Sequence, residues 1–321
     1  MASATPSSRR SPVRLALAFL AVYLIWGSTY LAIRYAIETL PALLMAGTRY
    51  LVAGGVVYAW GLRRGTERPS LGAWREALIL GALFFLGGNG AVVWAETRVP
   101  SGLASLLIAT MPLWVVLLDW LRPGGTRPQA IVIVGVALGF FGLLLLVPPG
   151  RSNGVEGVDP LGALVLVIGA LSWATGSLYA RHAELPQSLV LASGMEMICG
   201  GAQLFVAGIA RGELADVRPE AVSLRSLLAF AYLVVFGSIV AFNAFTYLLE
   251  VATPPRVATY AYVNPVVAVL LGWLLAGEPL TPQTILGAAV IVGAVAMVTA
   301  GQGPSEDVAP VAELVEEPPP T

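Results

Sequence analysis

Residues 261–283 read AYVNPVVAVLLGWLLAGEPLTPQ, and residues 107–129 read LIATMPLWVVLLDWLRPGGTRPQ. Each is an apolar run with a proline near its start, closed by a Gly/Pro-rich break that ends in Pro-Gln. The likeness extends outward, so that segment 89–142 can be laid on segment 243–296. Asn89 then falls on Asn243, Glu96 on Glu250, Pro112 on Pro265 after a one-residue gap, and Gly139 on Gly293. Further upstream, Trp26 falls on Trp173. A bilayer core is crossed by about 20 mostly apolar residues in a helix. That rule yields ten runs: 14–34, 41–62, 73–95, 101–121, 129–147, 160–180, 188–210, 226–249, 254–276 and 282–300. The chain is therefore read as two copies of five spans. Five is odd, so the second copy must cross the membrane upside down relative to the first. The expected fold is an all-α polytopic membrane protein, with ten transmembrane helices in two inverted five-helix repeats. Such repeats characterise secondary transporters, which bind substrate near the midplane between the copies.

The composition agrees with lipid as the main solvent. Apolar residues make up 57% of the 321 residues and charged residues 12%, against about 25% charged in soluble domains. All 18 basic residues are arginine. Without a lysine there is no P-loop, so no ATP hydrolysis by that route, and no Schiff-base chemistry. Cys199 is the single cysteine and His182 the single histidine. Cys199, in an apolar run, reads as a packing residue, and His182 as a solvated helix-end residue. No His/Cys cluster calls for a metal, and no cofactor or nucleic acid is implied. The run after Arg9, Arg10 and Arg14 is too long for a signal-peptide core and lacks a cleavage-like site, so it is taken as the first span.

The domain reading places a disordered N-terminus at 1–12, the first repeat at 14–148, the second at 159–301 and a disordered, acidic, Pro-rich C-terminus at 302–321. Arginines orient the chain. With the N-terminus inside, inner segments hold Arg9, Arg10, Arg14, Arg63, Arg64, Arg68, Arg75, Arg122, Arg127, Arg181 and Arg256, and outer segments hold Arg34, Arg98, Arg151, Arg211, Arg218 and Arg225. The positive-inside rule then puts both termini in the cytoplasm.

Four stretches, Ile25-Trp26-Gly27-Ser28, Thr48-Arg49-Tyr50, Tyr260-Ala261-Tyr262-Val263-Asn264-Pro265-Val266 and Gly277-Glu278-Pro279-Leu280-Thr281, stand out along the chain. With the ten-span count they resemble the EamA family of the drug/metabolite transporter superfamily. The similarity covers about 14–300. It implies a ten-span metabolite or amino-acid carrier, often an exporter, in a bacterial inner membrane. The absence of a glutamate in span 1 argues against the simple glutamate-based proton exchange of the small multidrug relatives.

Candidate site residues follow from polarity at membrane depth. Pro112 and Pro265 each remove a backbone donor, freeing the carbonyls of Ile108 and Ala261; paired interruptions point to a binding site or to simple packing kinks. Tyr260 and Asn264, four apart, share a helix face beside Pro265. They and the pair Asn89 and Asn243 offer hydrogen bonds to a substrate or between helices. Arg49 and Glu196 lie mid-span, where charge is costly. If the Trp26–Trp173 alignment extends, they coincide, and they either pair across the copies or each line a cavity. Arg49 suits a substrate carboxylate, and Glu196 an amine or a proton. Trp26 and Trp173, with Ser28 nearby, read as cavity walls. Gly135 and Gly139 form a small-residue stripe for close helix packing within the bundle.

The function expected is a secondary carrier of small metabolites such as amino acids, working by alternating access; a membrane sensor or scaffold without transport is the alternative. The partners expected are a small-molecule substrate and the lipid bilayer. One chain suffices for a complete carrier, with a dimer left open. Catalysis within the membrane would need a Ser/His pair, two aspartates or a metal cluster, and the chain is not read as an enzyme.

Overall fold

The computed structural model describes residues 12–64, 68–125, 127–146, 159–252, 257 and 259–301. The tails expected to be disordered and the junction between the repeats lie outside the described residues, except that the first helix already begins at Pro12.

All regular structure among these residues is helical. Eight helical stretches are long and apolar enough to cross a membrane. Span 1 is Pro12–Ala36, span 2 Ala42–Arg63, span 3 Leu71–Ala95 and span 4 Ser101–Leu121. Span 6 is Pro160–Tyr179, span 7 Leu189–Ala210, span 8 Leu224–Leu248 and span 10 Pro282–Gly301. Span 5 (Ala130–Leu146) and span 9 (Tyr260–Ala276) are shorter apolar helices of 17 residues, at the lower limit for a crossing of about 17–25 residues. The expected run for span 9 began at 254, and residues 253–256 and 258 lie outside the described residues. Large apolar side chains such as Leu17, Phe141, Ile168, Val206 and Leu274 stand exposed on these helices, a surface that suits lipid and not water.

Serines start several spans. The hydroxyls of Ser70, Ser188 and Ser223 accept from the backbone N–H of Ala73, Leu191 and Ser226 at 3.1, 3.3 and 3.1 Å, satisfying donors that every helix start leaves open. Asp159 does the same for Leu161 at 2.9 Å and receives a 3.1 Å hydrogen bond from Arg98 Nη1. The arginine bond and the cap hold the Asp159 carboxyl below its ordinary value. A lowered carboxylate contributes stability that is present above the unfolded value, near pH 4, and fades as pH falls through the folded value. The melting temperature should therefore fall more between about pH 5 and 3 in wild type than in Asp159→Asn, by a small margin because the group is exposed.

The packing obeys a pseudo-twofold axis. Span 2 packs on span 7 and span 5 on span 10, each pair being related by the repeat. Span 3 packs on span 6 as span 8 does on span 1, and span 4 on span 6 as span 9 does on span 1. This is the inverted repeat expected from the sequence. Spans 2 and 7 meet through two seven-residue glycine ladders, Gly47, Gly54, Gly61 and Gly194, Gly201, Gly208. A Cβ on Gly47 would lie 2.6 Å from the backbone nitrogen of Phe205, one on Gly54 2.8 Å from Cβ of Met197, and one on Gly194 2.6 Å from the backbone nitrogen of Tyr58. Small residues that let backbones touch are the usual glue where lipid removes the hydrophobic drive between helices. The second seam is similar: a Cβ on Gly135 would meet Val298 and one on Gly142 would meet Ile291, both at about 2.9 Å or less. Gly139 faces Leu113 of span 4, whereas Gly293 meets nothing within 4 Å, so the stripe on span 5 packs inside the bundle and its repeat partner Gly293 does not join the seam.

Three stretches depart from α-helical winding: Val22–Trp26 in span 1, Ala82–Asn89 in span 3 and Leu233–Val240 in span 8. Each is wound as a wider π-helix, which turns side chains off their α-helical bearing and is frequent at functional sites. Span 4 is also broken. Its first segment ends at Ile108 and its second begins at Met111, with Pro112 in the new first turn, where a missing N–H costs little.

Candidate functional site

The π-wound stretches and the broken span converge on one cavity of about 540 Å³ between the two repeats. Span 1 contributes Trp26 and Tyr30, and span 2 contributes Arg49 and Tyr50. Asn89 comes from span 3 and Pro112 from span 4, while Trp173 comes from span 6 and Glu196 from span 7. Gly237 and Ser238 come from span 8, and Tyr260, Asn264 and Pro265 from span 9. Ile108 and Ala261, whose carbonyls the two prolines free, both line it.

Each polar side chain has a physical tether. Arg49, buried on span 2, donates from Nε to Ser238 Oγ at 2.8 Å, and its guanidinium lies 4.6 Å from the Tyr50 ring centre. A Cβ on Gly237 would sit 3.1 Å from a terminal nitrogen of Arg49, so this glycine leaves room for the guanidinium. The Tyr50 hydroxyl donates to Asn89 Oδ1 at 2.7 Å, and Asn89 Nδ2 donates to the Phe84 carbonyl at 3.2 Å, a bond that the π winding makes possible. Trp26 Nε1 donates to the Gly237 carbonyl at 3.1 Å, and its ring packs 5.0 Å from Phe245 and 5.5 Å from Tyr260. Trp173 packs 5.4 Å from Phe84 on the opposite wall. Asn264 is buried, and its Oδ1 has no hydrogen-bond partner among the described residues.

Arg49 and Glu196 do not pair; no ion pair joins them among the described residues. The reason is register. Spans 2 and 7 run antiparallel, with Gly47 against Phe205 and Gly54 against Met197. Glu196 therefore faces the turn of span 2 about seven residues beyond Arg49, a displacement of about 10 Å at 1.5 Å per residue. An arginine and a glutamate thus line one cavity, one helix each, some 10 Å apart along the seam.

Two of the sequence candidates stand elsewhere. Ser28 donates to the Ile25 carbonyl at 2.8 Å and shares a 2.7 Å hydrogen bond with the Tyr232 hydroxyl, away from the cavity lining. Asn243 donates to the Ile239 carbonyl at 2.7 Å and is also off the lining. Asn89 closes its π stretch, whereas Asn243 comes three residues after Val240 closes the other. Three residues of a helix shift it by about 4.5 Å along the axis and a net 60° or so around it, so the asparagines match in sequence and not in position relative to the π stretch.

The two ends of the cavity differ. It reaches Ala180, Ala183, Leu185 and Pro186 at the loop between spans 6 and 7. At the opposite face the loops are latched. Glu278, after span 9, accepts from Ser101 N at 2.7 Å, Ser101 Oγ at 2.8 Å and Gly102 N at 2.9 Å, capping span 4, and Arg34 lies 3.6 Å from it. Glu213 caps span 2 through Leu43 N at 2.9 Å and Leu44 N at 3.0 Å, and Arg225 grips Glu38 at 2.6 Å. Carboxylates at helix N-termini complement both the open N–H groups and the helix dipole.

Residues 14–147 and, separately, 160–300 match the EamA-like transporter family. The chain belongs to that family. The uncharacterized inner membrane transporter YedA of Escherichia coli K12 is 42% identical over 89% of this chain and 90% of its own. Protein PecM of Dickeya dadantii is 26% identical over 85% and 88%. A crystal structure of a protein with 22% sequence identity superposes with a TM-score of 0.60 over 90% of this chain and 98% of the other, a likeness of fold. This EamA-like protein is thus a multi-pass membrane transporter. Sequence reasoning overlooked Ser238, Tyr50 and the latch glutamate Glu278, which was visible only as part of a family motif. It overlooked the glycine ladders too, although their seven-residue spacing in both copies is a signal that could have found them.

Proposed function

We propose that this EamA-like protein is a secondary exporter of amino acids and related small metabolites, working by alternating access across a bacterial inner membrane with both termini in the cytoplasm. The observation that carries the reading is the cavity between the repeats, bearing the anchored guanidinium of Arg49 on one central helix and the carboxyl of Glu196 on the other. A zwitterion has a carboxylate for the first and an ammonium for the second. Its apolar part fits the walls of Trp26, Trp173 and Phe245. A volume of about 540 Å³ lies within the usual range for small-ligand pockets, about 300–1,000 Å³.

The arginine bias puts the latched loops outside, so the conformation described here is inward-open. Export then needs the latches around Glu278 and Glu213 to release as the inner end closes. The pseudo-twofold supports that exchange, because each half presents to the other nearly the same packing in mirror order. The family match and the inner-membrane description of YedA support the membrane assigned.

The test is uptake of a panel of labelled amino acids into inverted membrane vesicles, where export appears as accumulation. Saturable uptake of at least one zwitterion is expected. Glu196→Gln should weaken zwitterions by about tenfold, the scale of one charged hydrogen bond, and leave simple carboxylates unaffected. Uptake of carboxylates and zwitterions alike by the variant, at wild-type affinity, would remove Glu196 from the substrate site. No uptake by folded, inserted protein across the panel would overturn the amino-acid reading.

A further inference from the structure

Glu96 stands where the latch meets the cavity, and nothing in the transport reading uses it. It follows directly on span 3 and is 1% exposed, and neither carboxylate oxygen has a hydrogen-bond partner among the described residues. The ionisable groups that bear on it electrostatically are Glu278 from the loop after span 9, Arg34 at the end of span 1, Arg49 from span 2 and Tyr30 from span 1. Tyr30 and Arg49 line the cavity; Glu278 and Arg34 form the latch. Arg34 sits against Glu278 and Arg49 against Ser238, so neither arginine ion-pairs with Glu96. A carboxylate without partners, out of water and beside a second carboxylate, is costly when ionised and tolerable when protonated. Glu278 is the opposite case, since three donors and Arg34 surround its charge.

We propose that Glu96 is a proton-binding site that gates the latched face: the gate closes over a protonated Glu96, and ionisation of Glu96 in water holds it open. The inference rests on the alternating-access reading. Closure buries the carboxylate, so closure takes up a proton whenever the open state has lost it. The sign follows: low pH favours the latched face shut, and rising pH favours release. In a membrane with acid outside, the proton enters the open gate from outside, and closure carries it toward the side where Tyr30 meets the cavity. This gives the chain a coupling carboxylate at the end of span 3, in a repeat whose first span has none.

The gate can be read without a substrate. Ser101 N and Gly102 N donate to Glu278 only when the latch is shut, so their amide exchange reports opening. The full-length protein in lipid nanodiscs would be compared at several pH values, with rates corrected for intrinsic exchange. In wild type the protection of residues 97–105 should fall as pH rises, by up to about tenfold per pH unit for one titrating group. Glu96→Gln mimics the protonated form and should stay protected at every pH. Glu278→Gln should lower protection throughout and keep the pH dependence. A wild type without pH dependence, or a Glu96→Gln variant that keeps it, would overturn the proposal. The two readings separate cleanly. A pH-driven gate in a protein that carries none of the amino-acid panel supports the proton site and counts against the substrate reading, whereas uptake by a protein with a pH-blind gate does the reverse.

Discussion

Arg49→Ala is expected to weaken uptake of any carboxylate-bearing substrate by about 10- to 100-fold, while the protein still inserts and elutes as a single species. Hydrogen bonds to charged groups are worth about 1.5–3 kcal/mol, which sets that range. The side chain is buried and held by Ser238 on span 8, so its geometry is fixed before substrate arrives, and little ordering remains to be done on binding. Arg49→Lys separates charge from shape. An ammonium keeps the positive charge but lacks the planar fork and the Nε donor that reaches Ser238. It should recover part of the affinity and not all of it. Vesicle uptake across a concentration series checks both variants. Wild-type affinity in Arg49→Ala would mean that the guanidinium serves only to tie span 2 to span 8.

Gly47→Val should cost about 3 kcal/mol, the upper end of the overpacking range, and lower the yield of folded protein. Its Cβ would press at 2.6 Å on the backbone nitrogen of Phe205 and at 2.9 Å on the carbonyl oxygen of Gly201. Backbone atoms cannot rotate aside as a side chain end can, so spans 2 and 7 would have to separate along the whole seam. Gly55, on the same helix, is the internal control. A Cβ there meets nothing within 4 Å, and Gly55→Ala should be neutral or stabilising by up to about 1 kcal/mol, since glycine disfavours helix interiors. Thermal unfolding in detergent, followed by the loss of the monodisperse peak, distinguishes the two. Equal melting temperatures for Gly47→Val and wild type would mean that the seam is looser than the backbone contact implies.

The sequence candidates that line the cavity are those whose type at membrane depth was itself unusual. Arg49 and Glu196 stand out because a charge in mid-span must have a use, and Trp26, Asn89 and Trp173 because they recur or sit beside small polar residues. Ser28 and Asn243 had the same chemical appeal but point away from the cavity. Ser238 and Tyr50 had none, being ordinary residues for a packed helix. What separates the two groups is bearing, which in spans 1, 3 and 8 depended on the π-wound stretches. These shift side chains around the helix without leaving a signature in hydropathy.

Ten apolar runs, an odd count per copy and matched landmarks in the two halves determined by themselves that this protein is a bundle of inverted five-helix repeats in a membrane. Those are one-dimensional quantities, set by the thickness of the bilayer and the parity of crossings, and local sequence carries them in full. Only the tertiary structure decided that Arg49 and Glu196 stay apart, because an antiparallel seam pairs residues by the sum of their positions and not by their equivalence in the repeat. It alone decided that one face is latched by Glu278 and Glu213 while the other opens on the cavity, since each latch joins segments far apart in the chain. It also buried Glu96 within electrostatic reach of that latch, at the end of a helix whose sequence marks only that a carboxylate follows the span.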